Sequence, residues 1–198
     1  MIFFEKLKAY DVILASQSPR RKELLEQADI PFRVVHKAFD EDFADHLSPQ
    51  EVVMMLCKHK SRAFDHELQR PEVVLITADT IVVNQGRIIN KPVNEKDAEQ
   101  MLQALSGQWH EVYTGVCLRH QDQVRIFHEM TRVLFRTLTL EEIRYYVTKY
   151  KPLDKAGAYG IQEWIGKVGI RRIEGSYSNV VGLPVERVFV ELRSLLGL

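Results

Sequence analysis

A chain of 198 residues with 45% hydrophobic and 27% charged content is long enough to bury a real core, and residues 1–198 read as a single domain. Lys plus Arg and Asp plus Glu balance at 27 each, so no global field exists to hold DNA or RNA, and a nucleic-acid partner is not expected. The opening MIFFEKLKAY lacks the apolar core of a signal peptide and no later stretch approaches a membrane span, so the expectation is a soluble cytoplasmic protein with no membrane partner.

Strand-like and helix-like segments alternate from end to end, with no repeat or Gly/Ser-rich linker between them. DVILAS (11–16) reads as a short apolar strand. Ser18-Pro19 then supplies an N-cap and a proline at the first helical position, opening a helix to about Ala28. PFRVVH is a second strand and FDEDFADH an acidic loop. Ser48-Pro49-Gln50-Glu51 is a capping box that starts a long helix to roughly Leu68. VVLITADTIVV (73–83) is nearly continuous β-branched sequence, as expected of a buried central strand, except that Asp79 and Thr80 interrupt it. Gln85-Gly86 turns the chain into RIINKP, and Asn94 to Leu105 is an amphipathic helix closed by Gly107. WHEVYTGVCLRH and QVRIFHEMTRVLFRTL alternate as paired strands around His120 to Asp122. Thr139 with Glu142 makes another capping box, for a helix to about Lys149. After a segment rich in glycine and aromatics, Pro184 starts a terminal helix. The fold class is mixed α/β.

Four features carry chemistry. LASQSPRR (14–21) places Ser16, Ser18, Arg20 and Arg21 where a strand ends and a helix begins, and helix N–H groups, the macrodipole and guanidinium forks all favour phosphate there. An ordinary capped helix with two solvated arginines would give the same spacing. Asp79 stands where a buried strand should be apolar, and a carboxylate there needs a cation or hydrogen bonds; alternatively the strand ends at Thr77 and Asp79 caps a turn. Lys60 falls on the apolar stripe of Val53, Leu56, Cys57 and Phe64, so its ammonium points inward unless it snorkels to the surface. Lys91, in the loop NKPV, is a similar case. Asp40, Glu41 and Asp42 could supply a carboxylate for magnesium, although such runs are usually just solvated. The only cysteines, Cys57 and Cys117, fit neither a disulfide framework nor a zinc site and read as reduced core thiols. His36, His59, His110 and His128 lack zinc or triad spacing and read as structural or surface residues, and no G-x-S-x-G elbow is present.

LASQSPRR, ITADTIVV, NKPV with AEQMLQALSGQWHEVYTGV, LDKAGAYGIQ and EGSYSNVVGLP, in that order between Leu14 and Pro184, resemble the Maf proteins. The resemblance implies a mixed twisted sheet flanked by helices, with two lobes around a central cleft, as in the inosine-triphosphate pyrophosphatases. It also implies hydrolysis of a nucleoside triphosphate between its α and β phosphates. Carried over by position, Asp79 matches the family's catalytic base, Ser16, Arg20, Arg21, Lys60 and Lys91 match its phosphate contacts, and Glu41 with Asp79 matches its metal site. The implied cofactor is Mg2+, with Mn2+ as an alternative, and related proteins suggest a homodimer. KAGAYGIQ and the serine-tyrosine segment before VVGLP resemble the subgroup that prefers dTTP and UTP, whose specificity positions match Arg20, Thr80 and Gln162. Rival readings are a pyrophosphatase acting on 7-methyl-GTP or on a broad set of modified nucleotides, and a nucleotide-sensing regulator of septum formation.

Overall fold

A computed structural model describes residues 2–38 and 46–198. Its elements are α1 (Ile2–Leu7), β1 (Asp11–Leu14), α2 (Pro19–Gln27), β2 (Arg33–Val34), α3 (Pro49–Arg62), β3 (Val73–Asn84) and β4 (Arg87–Ile89), followed by α4 (Glu95–Leu105), β5 (Trp109–His120), β6 (Gln123–Phe135), α5 (Leu140–Tyr150), α6 (Trp164–Gly169), β7 (Ile170–Glu174), α7 (Tyr177–Val181) and α8 (Val185–Leu196). The strand order is β2-β1-β3-β5-β6-β7, with β4 paired on β3, a mixed sheet of the expected α/β class. The chain divides into two compact units. One holds the residues up to Asp79 with Thr114–Glu129 and Gly182–Leu198, the other Thr80–Tyr113 and Met130–Val181. Among the described residues no helix is long and apolar enough to cross a membrane.

In the first unit β1 runs parallel to both β2 and β3, with Leu14 opposite Val34 on one side and Ile76 on the other. Side chains alternate across a strand, so Val12, Leu14, Val74 and Ile76 face one core with Phe3, Leu7, Leu25, Val188 and Leu192 from α1, α2 and α8. Ile13, Val73 and Leu75 face a second core with Phe64 and Leu68. Both faces are therefore covered, which is why these strands read as continuous apolar runs rather than alternating ones. Each Leu or Ile so buried contributes about 1.5–3 kcal/mol before entropy is subtracted. The capping box of α3 is complete, with Ser48 Oγ accepting from Glu51 N and the Glu51 carboxylate accepting from Ser48 N. A Cβ added at Gly115 of β5 would sit 2.3 Å from the Val53 carbonyl oxygen, so glycine is required for α3 to lie this close to the strand.

In the second unit β3 turns through Gln85 and Gly86, both at positive φ, into antiparallel β4, with Asn84 opposite Arg87; two such residues are what a two-residue hairpin demands. Asn94 caps α4 by accepting from Asp97 N at 2.9 Å, and α4 packs on α5, whose own capping box pairs Thr139 with Glu142. β6 and β7 are antiparallel. Val82, Val112 and Val133 form one buried cluster of this unit, with Ile89, Ile170 and Val180 packed against it.

The structure differs from the sequence expectations at several element ends and in elements the sequence did not announce. β1 stops at Leu14 rather than Ser16, because Ser16 Oγ accepts from Ser18 N at 3.1 Å and the chain is already turning. The second strand contracts to Arg33–Val34. α3 ends at Arg62, and a separate 3-10 turn at Glu67–Gln69 carries Leu68 into the core. Pro184 is the residue before α8, not its first. α1 and β7 were not expected from the sequence, since Ile170–Glu174 reads IRRIE, too polar and short to stand out.

Candidate active site

Where β1 gives way to α2, a small polar knot forms. Ser16 is 8% exposed. Its hydroxyl accepts from Ser18 N and, at 3.4 Å, from Arg21 Nη1. Arg21 Nε donates to the Gly182 carbonyl at 2.7 Å, tying the first turn of α2 to the chain entering α8. Ser18 occupies the N-cap position, but its side chain makes no capping bond; Ser16 has taken over the local bonding. Arg20 lies half-buried in the same turn. The solvated-arginine reading fails for Arg21, whose guanidinium is held on two partners.

β3 does not end at Thr77. It runs unbroken from Val73 to Asn84, so Asp79 and Thr80 are true strand residues. Lys60 does not snorkel either: it forms an ion pair with Asp79, their side chains only 9% and 13% exposed. The local fold explains the meeting. Thr77 Oγ1 donates to the Cys57 carbonyl at 2.6 Å, fixing α3 against β3, and two residues further along the strand and three along the helix Asp79 and Lys60 face each other. Arg119 Nη1 donates to the Ser61 carbonyl at 3.1 Å and to Asp65 at 2.6 Å, bracing the end of α3. Two desolvated charges are costly to bury, and mutual attraction repays that only in good geometry. Burial pushes the Cys57 thiol up, with Cys117 and Asp79 adding to the shift, so it stays a neutral thiol and not a nucleophile. Both cysteines are free and buried, as expected.

Leu14 and Ile76 are register partners, which sets Ser16 two residues and Asp79 three residues beyond the paired positions. Ser16 lies just past the carboxyl end of β1, and Asp79 lies within β3 just past the stretch that pairs in parallel with β1, the edge of the parallel pairing where open α/β sheets bind ligands. The structure thus brings together Ser16 with Arg21, and Lys60 with Asp79, in the first unit. Thr80 follows Asp79 as a half-buried residue of the second unit; Lys91, exposed in the loop after β4, and half-buried Gln162 also belong there. Glu41, with Asp40 and Asp42, lies outside the described residues.

Sequence reasoning missed a second buried charge cluster. Lys155 is 8% exposed and pairs with Asp154 at 2.7 Å and Glu163 at 3.2 Å. Glu163 accepts from the Tyr146 hydroxyl, which accepts from Gly160 N at 3.0 Å. Burial, then Glu163, pushes the Tyr146 hydroxyl well up. The segment has no period for a buried lysine to break, so no signal marked it. His110 is structural, as expected: it is buried, stacked on Phe135, and bonded to the Tyr159 hydroxyl at 2.7 Å.

Among the described residues no group of three or more His, Cys, Asp or Glu is gathered to hold a metal alone. Asp79 offers hard carboxylate oxygens, and one or two carboxylates suit a magnesium ion that shares its remaining positions with phosphate oxygens and water. The donor chemistry at Asp79 fits such an ion.

A mixed α/β sheet with a basic helix start after β1 and a buried acid–lysine pair just past the parallel pairing of β1 with β3 defines a site for a small anionic ligand. Residues 11–195 match the family described as Maf-like protein, and the chain belongs to that family. It is 45% identical to a dTTP/UTP pyrophosphatase of Christiangramia forsetii, the match covering 98% of each chain. It is 48% identical to a dTTP/UTP pyrophosphatase of Phocaeicola vulgatus, over 96% of this chain and 99% of that one. One from Porphyromonas gingivalis is 46% identical over 96% of both. Among solved structures, the Ham1 protein of Staphylococcus aureus aligns over 92% of this chain and 99% of its own with a TM-score of 0.46 and 16% identity.

Proposed function

We propose that this protein is a cytoplasmic nucleoside-triphosphate pyrophosphatase that converts dTTP and UTP to the monophosphate and pyrophosphate. The observation that carries the reading is the buried pair of Lys60 on α3 with Asp79 in the otherwise carboxylate-free, mostly apolar strand β3, in a chain about 45% identical along its length to enzymes of that name. A structural pair in a core has no need to sit beside a basic helix start; a phosphoanhydride hydrolase needs both.

In the proposed reaction the α2 N-terminus with Arg20 and Ser16 binds phosphate oxygens, and Arg21, anchored on Gly182, holds that turn in shape. Lys60 neutralises charge next to Asp79, and Lys91 adds a second ammonium for the leaving pyrophosphate. Asp79 accepts the proton of the attacking water as its oxygen bonds to the α-phosphorus. The bond from that phosphorus to the bridging oxygen breaks, and the electron pair leaves with pyrophosphate. Magnesium, or manganese in its place, held by Asp79 and Glu41, would supply charge neutralisation on the phosphates and a more acidic water. Thr80 and Gln162 are assigned to recognition of the base, and Arg20 to both phosphate binding and specificity. The active species is proposed to be a homodimer.

The test is pyrophosphate release from a panel of dTTP, UTP, CTP, 7-methyl-GTP and purine triphosphates, with and without Mg2+. Highest kcat/KM for dTTP and UTP in Mg2+ is expected, with loss in EDTA. Preference for 7-methyl-GTP would reassign the substrate, and no release from any nucleotide would overturn the activity.

A further inference from the structure

The buried network of the second unit is built around a single loop. Lys155 and Glu163 close its ends as an ion pair at 3.2 Å, and Tyr146, completely buried on α5, reaches in to accept from Gly160 N and donate to Glu163. Gln162 is the residue before Glu163, so clamping one restricts the other. A Cβ at Gly160 would meet the Glu163 carboxyl carbon at 2.9 Å and Gln162 Nε2 at 3.2 Å. The missing side chain is therefore what lets the carboxylate and the Gln162 amide fold back over the same glycine. On the far side of that amide, Gln162 Oε1 is buried with no hydrogen-bond partner among the described residues. A buried amide oxygen without a donor is costly, and one held so by a satisfied network is an acceptor awaiting a ligand.

We propose that Glu163, Tyr146 and Lys155 are positioning residues that aim Gln162 Oε1 at an N–H donor of the nucleotide base. Uracil and thymine carry a hydrogen on N3; cytosine presents a bare acceptor there. The network is thus the device that separates dTTP and UTP from their cytosine counterparts. The inference rests on the reading of dTTP and UTP as substrates. Glu163→Gln keeps the shape of the side chain but leaves Lys155 facing a neutral amide whose NH2 must turn toward either Lys155 or the Tyr146 hydroxyl, both of which already donate. The clamp then loosens.

The experiment compares pyrophosphate release from dTTP, UTP, dCTP and CTP by the wild type, Gln162→Ala, Glu163→Gln, Tyr146→Phe and the double variant Gln162→Ala/Glu163→Gln. Glu163→Gln is expected to lower the dTTP-to-dCTP ratio of kcat/KM by about tenfold through dTTP alone. The double variant should match the ratio of Gln162→Ala, because the network acts through that residue. Equal loss on all four nucleotides, or a further drop in the double variant, overturns the positioning role while leaving the base reading intact. An unchanged ratio in Gln162→Ala removes the base reading itself, and this inference with it. If Tyr146→Phe fails to fold, the shape-conserving Glu163→Gln decides.

Discussion

Lys60 and Lys155 are each 8% exposed, one in either unit, yet they come to their partners by different routes. Lys60 projects from a regular helix onto a regular strand, and its position follows from the bond between Thr77 and the Cys57 carbonyl. Lys155 sits in an irregular segment and is held by Asp154, beside it in sequence, and by Glu163, eight positions on, which is itself held by Tyr146. Removing one member of the first pair breaks an ion pair whose two side chains are only 9% and 13% exposed. Removing Lys155 leaves Glu163 still accepting from Tyr146, and Asp154 more than half exposed at 57%. The first arrangement suits a group whose charge is used in a reaction, and the second suits a frame.

The largest effect should come from breaking the first pair. Asp79→Asn is expected to lower kcat by at least about a hundredfold with the fold retained, as judged by circular dichroism and a cooperative urea transition. Asp79→Asn and Lys60→Met should each cost about 2–3 kcal/mol of stability, because each removes one half of a mostly buried ion pair, and the double variant should recover part of that. Lys155→Met should cost less and alter selectivity before rate. If Lys155→Met stops turnover as completely as Asp79→Asn, the distinction between reacting pair and frame collapses.

The same contrast explains what could be read from the residues. Asp79 and Lys60 stood out because each broke a regular period, one in a β-branched run and one on an apolar stripe, and an interrupted pattern is visible without a structure. The caps at Ser48, Asn94 and Thr139 were legible for the same reason, since each precedes a periodic segment. Arg21 was recognised as a basic residue at a helix start, but its bond to Gly182 spans 161 positions, and no local pattern carries that. Lys155, Glu163 and Tyr146 lie in or against a stretch with no period to interrupt, so only the resemblance of KAGAYGIQ drew notice to the segment, and it pointed to Gln162 alone. α1 and β7 went unseen because one is a six-residue helix and the other an arginine-bearing strand.

A second, comparable effect separates the units by pH. Burial pushes His110 of the second unit down to about 4 from an ordinary value of 6.5. As pH falls below 6.5 the unfolded chain takes up a proton at this position, whereas the folded chain resists until about 4. Stability from the neutral, buried imidazole is therefore complete at neutral pH and lost across that window, by about 3 kcal/mol in all. Carboxylates such as Glu142, held down to about 2 first by Arg136 and then by the Thr139 backbone, add their own acid loss only below their ordinary range. Urea midpoints measured from pH 7 to pH 5 isolate the histidine. The wild type should weaken steadily, and His110→Gln, which does not titrate, should give a flat line. A wild-type midpoint unchanged down to pH 5 would mean that His110 is charged or solvated in the folded protein.

The smallest effect tests whether the two units depend equally on how their key helices begin. α3 carries Lys60 and α5 carries Tyr146, and each opens with a complete capping box, Ser48 with Glu51 and Thr139 with Glu142. The second box has an extra tie: Arg136 donates to both Glu142 oxygens, at 3.1 and 2.6 Å. Ser48→Ala and Thr139→Ala each delete the side-chain oxygen that accepts from the N3 amide, at a cost of about 1 kcal/mol. Neither cap touches a charged cluster, since Lys60 lies three turns along α3 and Tyr146 nearly two along α5. Both variants should therefore keep wild-type kcat/KM for dTTP at temperatures well below unfolding. The difference should appear on removing the acid. Glu51→Ala should cost little beyond the loss of its own cap, whereas Glu142→Ala also removes the ion pair with Arg136 and should be the more destabilising by several tenths of a kcal/mol, the scale of a partly exposed ion pair. Urea denaturation of the four variants measures this directly. Equal losses from the two acids would show that the Arg136 contact adds nothing, and that the second unit is held at α5 by its cap and its core alone.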